Sequence, residues 1–138
     1  MAKSVLIIDD DPDVWPTLAL RLKSFGYNMI SAKDGKQGIQ KVRELMPDLI
    51  LLDFSLPDEN GIEVLKKLKS DSQGLFSKIP VLMLTGMEEH EQACLEAGAA
   101  GYITKPFDLF QLKETLAKFL TFFSEEDLRR YSRHILLP

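Results

Sequence analysis

Four short apolar runs in this chain each stop at a side chain with chemistry to offer. Val5-Leu6-Ile7-Ile8 runs into Asp9-Asp10, and Leu49-Ile50-Leu51-Leu52 runs into Asp53. Pro80-Val81-Leu82-Met83-Leu84 meets Thr85, and Gly101-Tyr102-Ile103-Thr104 meets Lys105. If these runs are parallel strands of one sheet, their ends gather three carboxylates, a hydroxyl and an ammonium on one rim. Two unit charges ~4 Å apart repel by about 4 kcal/mol at an effective dielectric near 20, so the acids need positive company. Lys105 brings one charge, and a divalent cation would bring two. Carboxylate ligands that leave several waters in place are the setting of Mg²⁺ in phosphoryl chemistry. The set suits phosphoryl transfer to a carboxylate: Asp53 attacks phosphorus as nucleophile and becomes an acyl phosphate, with Mg²⁺ neutralising the charge. Lys105 would pair with one phosphoryl oxygen and Thr85 would donate to another. No residue looks like a base for a second substrate, so the expectation is not an enzyme with turnover. The protein is itself the substrate.

The elements that must position these residues follow from periodicity. The runs at Val5–Ile8 and Leu49–Leu52 lack polar alternation and are rich in aliphatic residues, as strands buried on both faces are. The second of these is the more continuous and is expected at the centre of the sheet. Weaker strands are predicted over about Asn28 to Ser31, Pro80 to Leu84 and Gly101 to Thr104. Between them, helical spacing predicts a first helix with Asp11 as N-cap and Pro12 at its first position, or, because Pro16 would sit awkwardly there, a start at Asp13. It carries Val14, Leu18 and Leu22 on one face and ends at Gly26. Further helices are predicted over Lys36 to Leu45, from Ile62 through Leu65 and Leu68, over Glu88 to Ala97, and from Leu109. In the last, Leu109, Leu112, Leu116, Phe119 and Phe123 form the expected core stripe, with Phe110 and Phe122 off it as a candidate partner surface. Five strand–helix units in series make an α/β fold, a doubly wound five-stranded parallel sheet flanked by five helices, with right-handed crossovers and ligands beyond the strands' carboxyl ends.

Bulk properties narrow the class. The chain's 138 residues suit one domain, and 45% hydrophobic with 28% charged residues is the balance of a globular protein. A net charge of −4 gives no electrostatic reason to bind nucleic acid directly. One cysteine, Cys94, excludes an internal disulfide and reads as a small buried apolar residue in a reducing compartment. Neither a signal peptide nor a membrane-length apolar run is present, so the expected location is cytoplasmic, with no membrane partner.

The pieces Val5 to Asp10, Leu51-Leu52-Asp53 with Pro57 and Gly61, Leu84-Thr85-Gly86 and Gly101 to Phe107 together resemble the signature of bacterial two-component response-regulator receiver domains, of the chemotaxis-regulator kind. The similarity covers about residues 4 to 123, so the expected division is a receiver over 1–123 and a helical tail, or the start of a linker or second domain, over 124–138. It implies a flavodoxin-like receiver in a phosphorelay. Asp53 would be the phosphoacceptor, charged by a sensor histidine kinase or phosphotransfer protein. Asp10 and Asp53 would ligate Mg²⁺ directly, the backbone carbonyl of Ser55 would complete the protein ligands, and Asp9 would act through water. Thr85 and Tyr102 would be the switch pair, and Lys105-Pro106 would carry a cis peptide bond. The family's fourth helix, fifth strand and fifth helix would form a homodimer or an output contact. Ser55 and Met87 stand where the family flanks the attacking water, and Met87 cannot hold one by hydrogen bonding; a long-lived phosphoryl group is expected.

Other features carry less. His90 and His134 stand alone and read as solvated or capping residues. Trp15, within about a turn of the acid pair, reads as a partly exposed aromatic. Ser124 to Asp127 has a capping-box look, and Leu128, Tyr131 and Ile135 follow at helical spacing. Arg130 to Pro138 resembles the opening segment of adenylyltransferases that activate sulfur-carrier and ubiquitin-like proteins. Three rival functions fit the residues less well. A phosphohydrolase of the haloacid dehalogenase type needs Asp-x-Asp followed two places on by Thr or Val, where this chain has Asp13. A receiver-like module that is never phosphorylated would have no use for the complete set of acids, Thr85 and Lys105. A flavin protein would want a Ser/Thr-rich first loop where the acids stand.

Overall fold

Aliphatic runs without polar alternation form the strands, and amphipathic segments between them form the helices. The computed structural model describes residues 3–70, 74, 76–86, 90–105 and 108–120. Strands β1 (Ser4–Ile8), β2 (Asn28–Ala32), β3 (Leu49–Asp53), β4 (Val81–Thr85) and β5 (Gly101–Thr104) alternate with helices α1 (Val14–Ser24), α2 (Gly35–Leu45), α3 (Gly61–Lys69), α4 (Glu91–Glu96) and α5 (Leu109–Phe119). All strand pairs are parallel, in the order β2-β1-β3-β4-β5. The run at 49–52 is central, as its unbroken apolar content predicts.

Alternation along the strands divides the core in two. Val5, Ile7, Leu49, Leu51, Leu82, Leu84 and Ile103 pack with Leu18 and Leu22 of α1 and Leu112 and Leu116 of α5. Leu6, Ile8, Ile50, Leu52, Val81 and Met83 pack with Val42 of α2, Val64, Leu65 and Leu68 of α3, and Cys94 of α4. Helices therefore cover both faces, which is what makes the strands apolar throughout rather than alternating. Cys94 is fully buried, as expected.

Local contacts set several of the boundaries. Helix α1 starts after Asp13, the later of the two expected starts; Asp11 folds a turn in which its side chain accepts from the Asp13 amide at 2.9 Å. Pro16 then falls in the first turn of α1, where a missing N–H costs no intrahelical bond. In α5 the inner stripe is Leu112, Leu116 and Leu120; Phe119 is 37% exposed, so its expected place in the core is corrected by one position. Helix α4 is described over Glu91–Glu96, within the expected 88–97, and the expected start at Glu88 lies outside the described residues. The readings placed on Met87, the Lys105-Pro106 bond, Phe107, Phe122, Phe123, His134 and the whole 124–138 tail also lie outside the described residues. Among the described residues, no helix is long and apolar enough to cross a membrane.

The loop after β3 is held by contacts that the sequence pattern does not announce. The Asp58 carboxylate accepts from the Gly35 and Lys36 amides at 2.9 and 3.0 Å, satisfying the start of α2 from a neighbouring loop. Those N–H groups outweigh burial and hold the Asp58 pKa below the usual carboxylate value. The Gly61 amide donates to the Phe54 carbonyl at 2.6 Å, closing the loop that leaves β3. A Cβ on Gly61 would collide with the Asp53 carbonyl oxygen and come within 2.9 Å of Met83 Cε. Gly86, by contrast, faces open space. We predict that Gly61→Ala lowers stability by about 1–3 kcal/mol through overpacking, whereas Gly86→Ala stays within roughly 0.5 kcal/mol of the parent. Urea unfolding midpoints at unchanged slope measure both.

Candidate functional site

Register alone brings the strand-end residues together. Ile8 is paired with Leu52, so one step further Asp9 stands beside Asp53. Asp53 pairs with Leu84, and Thr85 with Thr104, one residue before Lys105. The backbone sews the rim shut: Asp9 N–H donates to Ala32 O at 3.0 Å, Phe54 N–H to Leu84 O at 2.9 Å, and Lys105 N–H to Thr85 O at 2.8 Å.

Asp9 and Asp53 are buried, Asp10 is exposed, and one carboxylate oxygen from each lies within 4.8 Å of the others. The Lys105 ammonium is 2.8 Å from Asp9 Oδ2 and 3.5 Å from Asp53 Oδ2. Asp9 Oδ1 accepts from the Asp11 amide at 3.0 Å, and Asp53 Oδ1 from the Ser55 amide at 3.3 Å. Ser55 is exposed and forms an antiparallel bridge with Asn60, which shapes the loop against α3. Thr85 is buried at the end of β4, and Tyr102 is half-buried against the core on the α2–α4 side. Strand alternation gives Asp9, Asp53 and Lys105 the parity of the α1/α5 face and gives Thr85 and Tyr102 the parity of the α3/α4 face. The site thus has a charged half and a hydroxyl half.

The charge balance is uneven. Burial first, and then the neighbouring Asp9 charge, push the Asp53 pKa from its usual 3.8 up to about 6, against the pull of Lys105 and the Ser55 amide. Burial works against the Lys105 charge, but the hydrogen bond to Asp9 and the charges of Asp53 and Asp9 hold its pKa above the usual 10.5. Among the described residues, three carboxylates facing one ammonium leave net negative charge, and an all-oxygen donor set of this kind fits Mg²⁺.

His90 is the participant that sequence reasoning missed. It is not merely solvated or capping: its ring stacks on Phe54 with centroids 3.8 Å apart and planes 10° from parallel. Its Nδ1 lies 3.4 Å from Thr85 Oγ1, and it makes no side-chain cap on α4. The available signal was an aromatic residue directly after Asp53 and a histidine one turn beyond the end of β4. Trp15 is half-buried against the α1/α5 core, and its indole Nε1 is buried without a hydrogen-bond partner among the described residues.

The fold and rim define a doubly wound parallel α/β protein with an acidic site beyond the carboxyl ends of its strands. A family model of the response regulator receiver domain matches residues 5–117, and the chain belongs to that family. It is 40% identical over 108 residues to the probable transcriptional regulatory protein TcrX of Mycobacterium tuberculosis, covering 77% of this chain and 44% of that protein. The chain spans about half the length of the curated relatives it matches. A putative response regulator from Chloroflexus aurantiacus superposes with a TM-score of 0.81 at 31% identity, covering 86% of this chain and 98% of that one. The receiver domain of a sensor histidine kinase from Pseudomonas aeruginosa, solved with magnesium coordinated in its active-site cleft, superposes at 0.77 and 26% identity, covering 86% and 98%. These relatives are signalling proteins rather than enzymes of metabolism.

An Asp with a raised folded pKa binds its proton more tightly folded than unfolded. Stability is therefore lost as pH climbs from about 4 through about 6, where folded Asp53 ionises. We predict that Asp53→Asn, in Mg²⁺-free buffer, is more stable than the parent by ~2 kcal/mol at pH 7, with the gap closing below pH ~4. Thermal unfolding of both proteins across that range measures it.

Proposed function

We propose that this chain is a phosphorylation-dependent signalling switch that accepts a phosphoryl group on Asp53 from a histidine kinase or a phosphotransfer protein. The observation that carries this reading is a nearly buried Asp53 facing Asp9, Asp10 and Lys105 within one small rim. The new bond joins an Asp53 carboxylate oxygen to phosphorus as the bond from phosphorus to the donor's leaving atom breaks. Asp10 and Asp53, with the Ser55 carbonyl, would hold Mg²⁺, and Asp9 would reach it through water. When bound, the ion supplies positive charge against the phosphoryl oxygens. Lys105 turns part of its pairing from the carboxylates to a phosphoryl oxygen, and the Thr85 hydroxyl donates to another. Tyr102 follows Thr85 inward as the second member of the switch pair. The P. aeruginosa receiver with its coordinated magnesium supports the metal assignment.

The output reading rests on the α4–β5–α5 face. Phe110 is 68% exposed on α5 and Leu95 41% exposed on α4, and both would be covered by a homodimer or a partner protein. The transcriptional role of TcrX belongs to a longer protein, so direct DNA contact is not assigned to this chain. We place the kinase contact in the cytoplasm, and we read 1–123 as the receiver and 124–138 as a tail or the start of a further segment, similar at its end to the adenylyltransferase opening.

Incubation with acetyl phosphate and Mg²⁺, followed by intact-mass measurement, tests the reading. The parent is expected to gain one phosphoryl group, and removal of Mg²⁺ by chelation or the change Asp53→Asn is expected to abolish the gain. Absence of added mass on the parent would favour the module that is never phosphorylated.

A further inference from the structure

His90 sits on the hydroxyl half of the site, against both Phe54 and Thr85. Its ring lies flat on Phe54, the residue that follows the phosphoacceptor, and Phe54 itself packs into the α2–α4 core. The stack fixes the imidazole plane, and the fixed plane aims Nδ1 at Thr85 Oγ1, 3.4 Å away. Thr85 is 2% exposed, so its hydroxyl has few directions in which to point. A hydroxyl has one proton to give. Given to Nδ1, it is not given to a phosphoryl oxygen.

We infer that His90 is a positioning residue that holds the Thr85 hydroxyl on the α3/α4 side, so that the imidazole and an incoming phosphoryl group compete for it. The inference rests on the phosphoacceptor reading of Asp53. It requires the neutral imidazole to carry its proton on Nε2, leaving Nδ1 as acceptor. The contact is long for a hydrogen bond, so its effect on the switch equilibrium is modest: removing the acceptor is worth roughly two- to ten-fold in favour of the phosphoryl-bound state.

Two variants separate the contacts. His90→Phe keeps a flat ring over Phe54 and deletes the acceptor nitrogen; His90→Ala deletes both. The measurements are beryllofluoride affinity in the presence of Mg²⁺, and the ¹⁵N shift of His90 Nδ1 in the parent with and without beryllofluoride. The expected result is two- to ten-fold tighter binding by His90→Phe, with an unprotonated Nδ1 in the free parent whose signal moves when beryllofluoride binds. A packing role alone would leave His90→Phe equal to the parent while His90→Ala differs. Equal affinities for the parent and His90→Phe with an unmoved Nδ1 signal would overturn the inference and leave the phosphoacceptor reading standing. Failure of the parent itself to bind beryllofluoride would overturn both. The nitrogen signal needs no substitution, so poor folding of a variant does not blunt the test.

Discussion

Among the described residues, one ammonium group faces three carboxylates at the rim of this sheet, and most of what the site can do follows from that imbalance. Lys105 reaches Asp9 at 2.8 Å and Asp53 at 3.5 Å from the end of an edge strand, linking β1, β3 and β5 through side chains alone. Asp9 is fully buried, so its charge is tolerable only because Lys105 and the Asp11 amide meet it. Asp53 receives what is left: a more distant Lys105, a single long amide hydrogen bond and a like charge beside it. Burial first, and then that deficit, raise its pKa. A group that takes up positive charge so readily is a poor structural anchor and a good place to bind a cation or to accept an electrophile.

The rest of the fold holds this unfavourable arrangement in place. Fully apolar strands with helices on both faces have one register, because a slip of one residue would exchange the two cores. The same register sets Asp9 beside Asp53 and puts Thr85 on the other parity. Compensation for local electrostatic cost is thus spread over the buried residues of both cores. The loop after β3 is pinned at two points, by Asp58 on the start of α2 and by Gly61 against Phe54. A firm loop keeps Ser55 and Phe54 where the carboxylate and the His90 ring need them.

What could be read from the sequence was what depends on short-range pattern. The five strands, the central place of residues 49–52 and the convergence of Asp9, Asp10, Asp53, Thr85 and Lys105 all follow from apolar runs and the strand-end rule. The start of α1 stayed open between Asp11 and Asp13 because neighbouring side chains there offer the backbone competing partners. In α5 the consecutive Phe119-Leu120 leaves two apolar residues for one inward position, and periodicity favoured the wrong one. His90 was hidden for a different reason. Its stacking partner Phe54 follows β3, far away in the sequence, and no local pattern distinguishes a histidine stacked over a site from one in water. Asp58 was missed likewise, because its amide partners belong to a helix on the far side of a loop.

Calorimetric titration of Mg²⁺ into the metal-free protein, in buffers of different ionisation enthalpy, tests the central claim most directly. If the acidic rim is held short of positive charge, one Mg²⁺ binds, and at pH ~6 its binding releases a proton from the partly protonated Asp53, with the release fading towards pH ~8. No saturable binding, or binding that Asp53→Asn leaves unchanged and that releases no proton near pH ~6, would contradict the account.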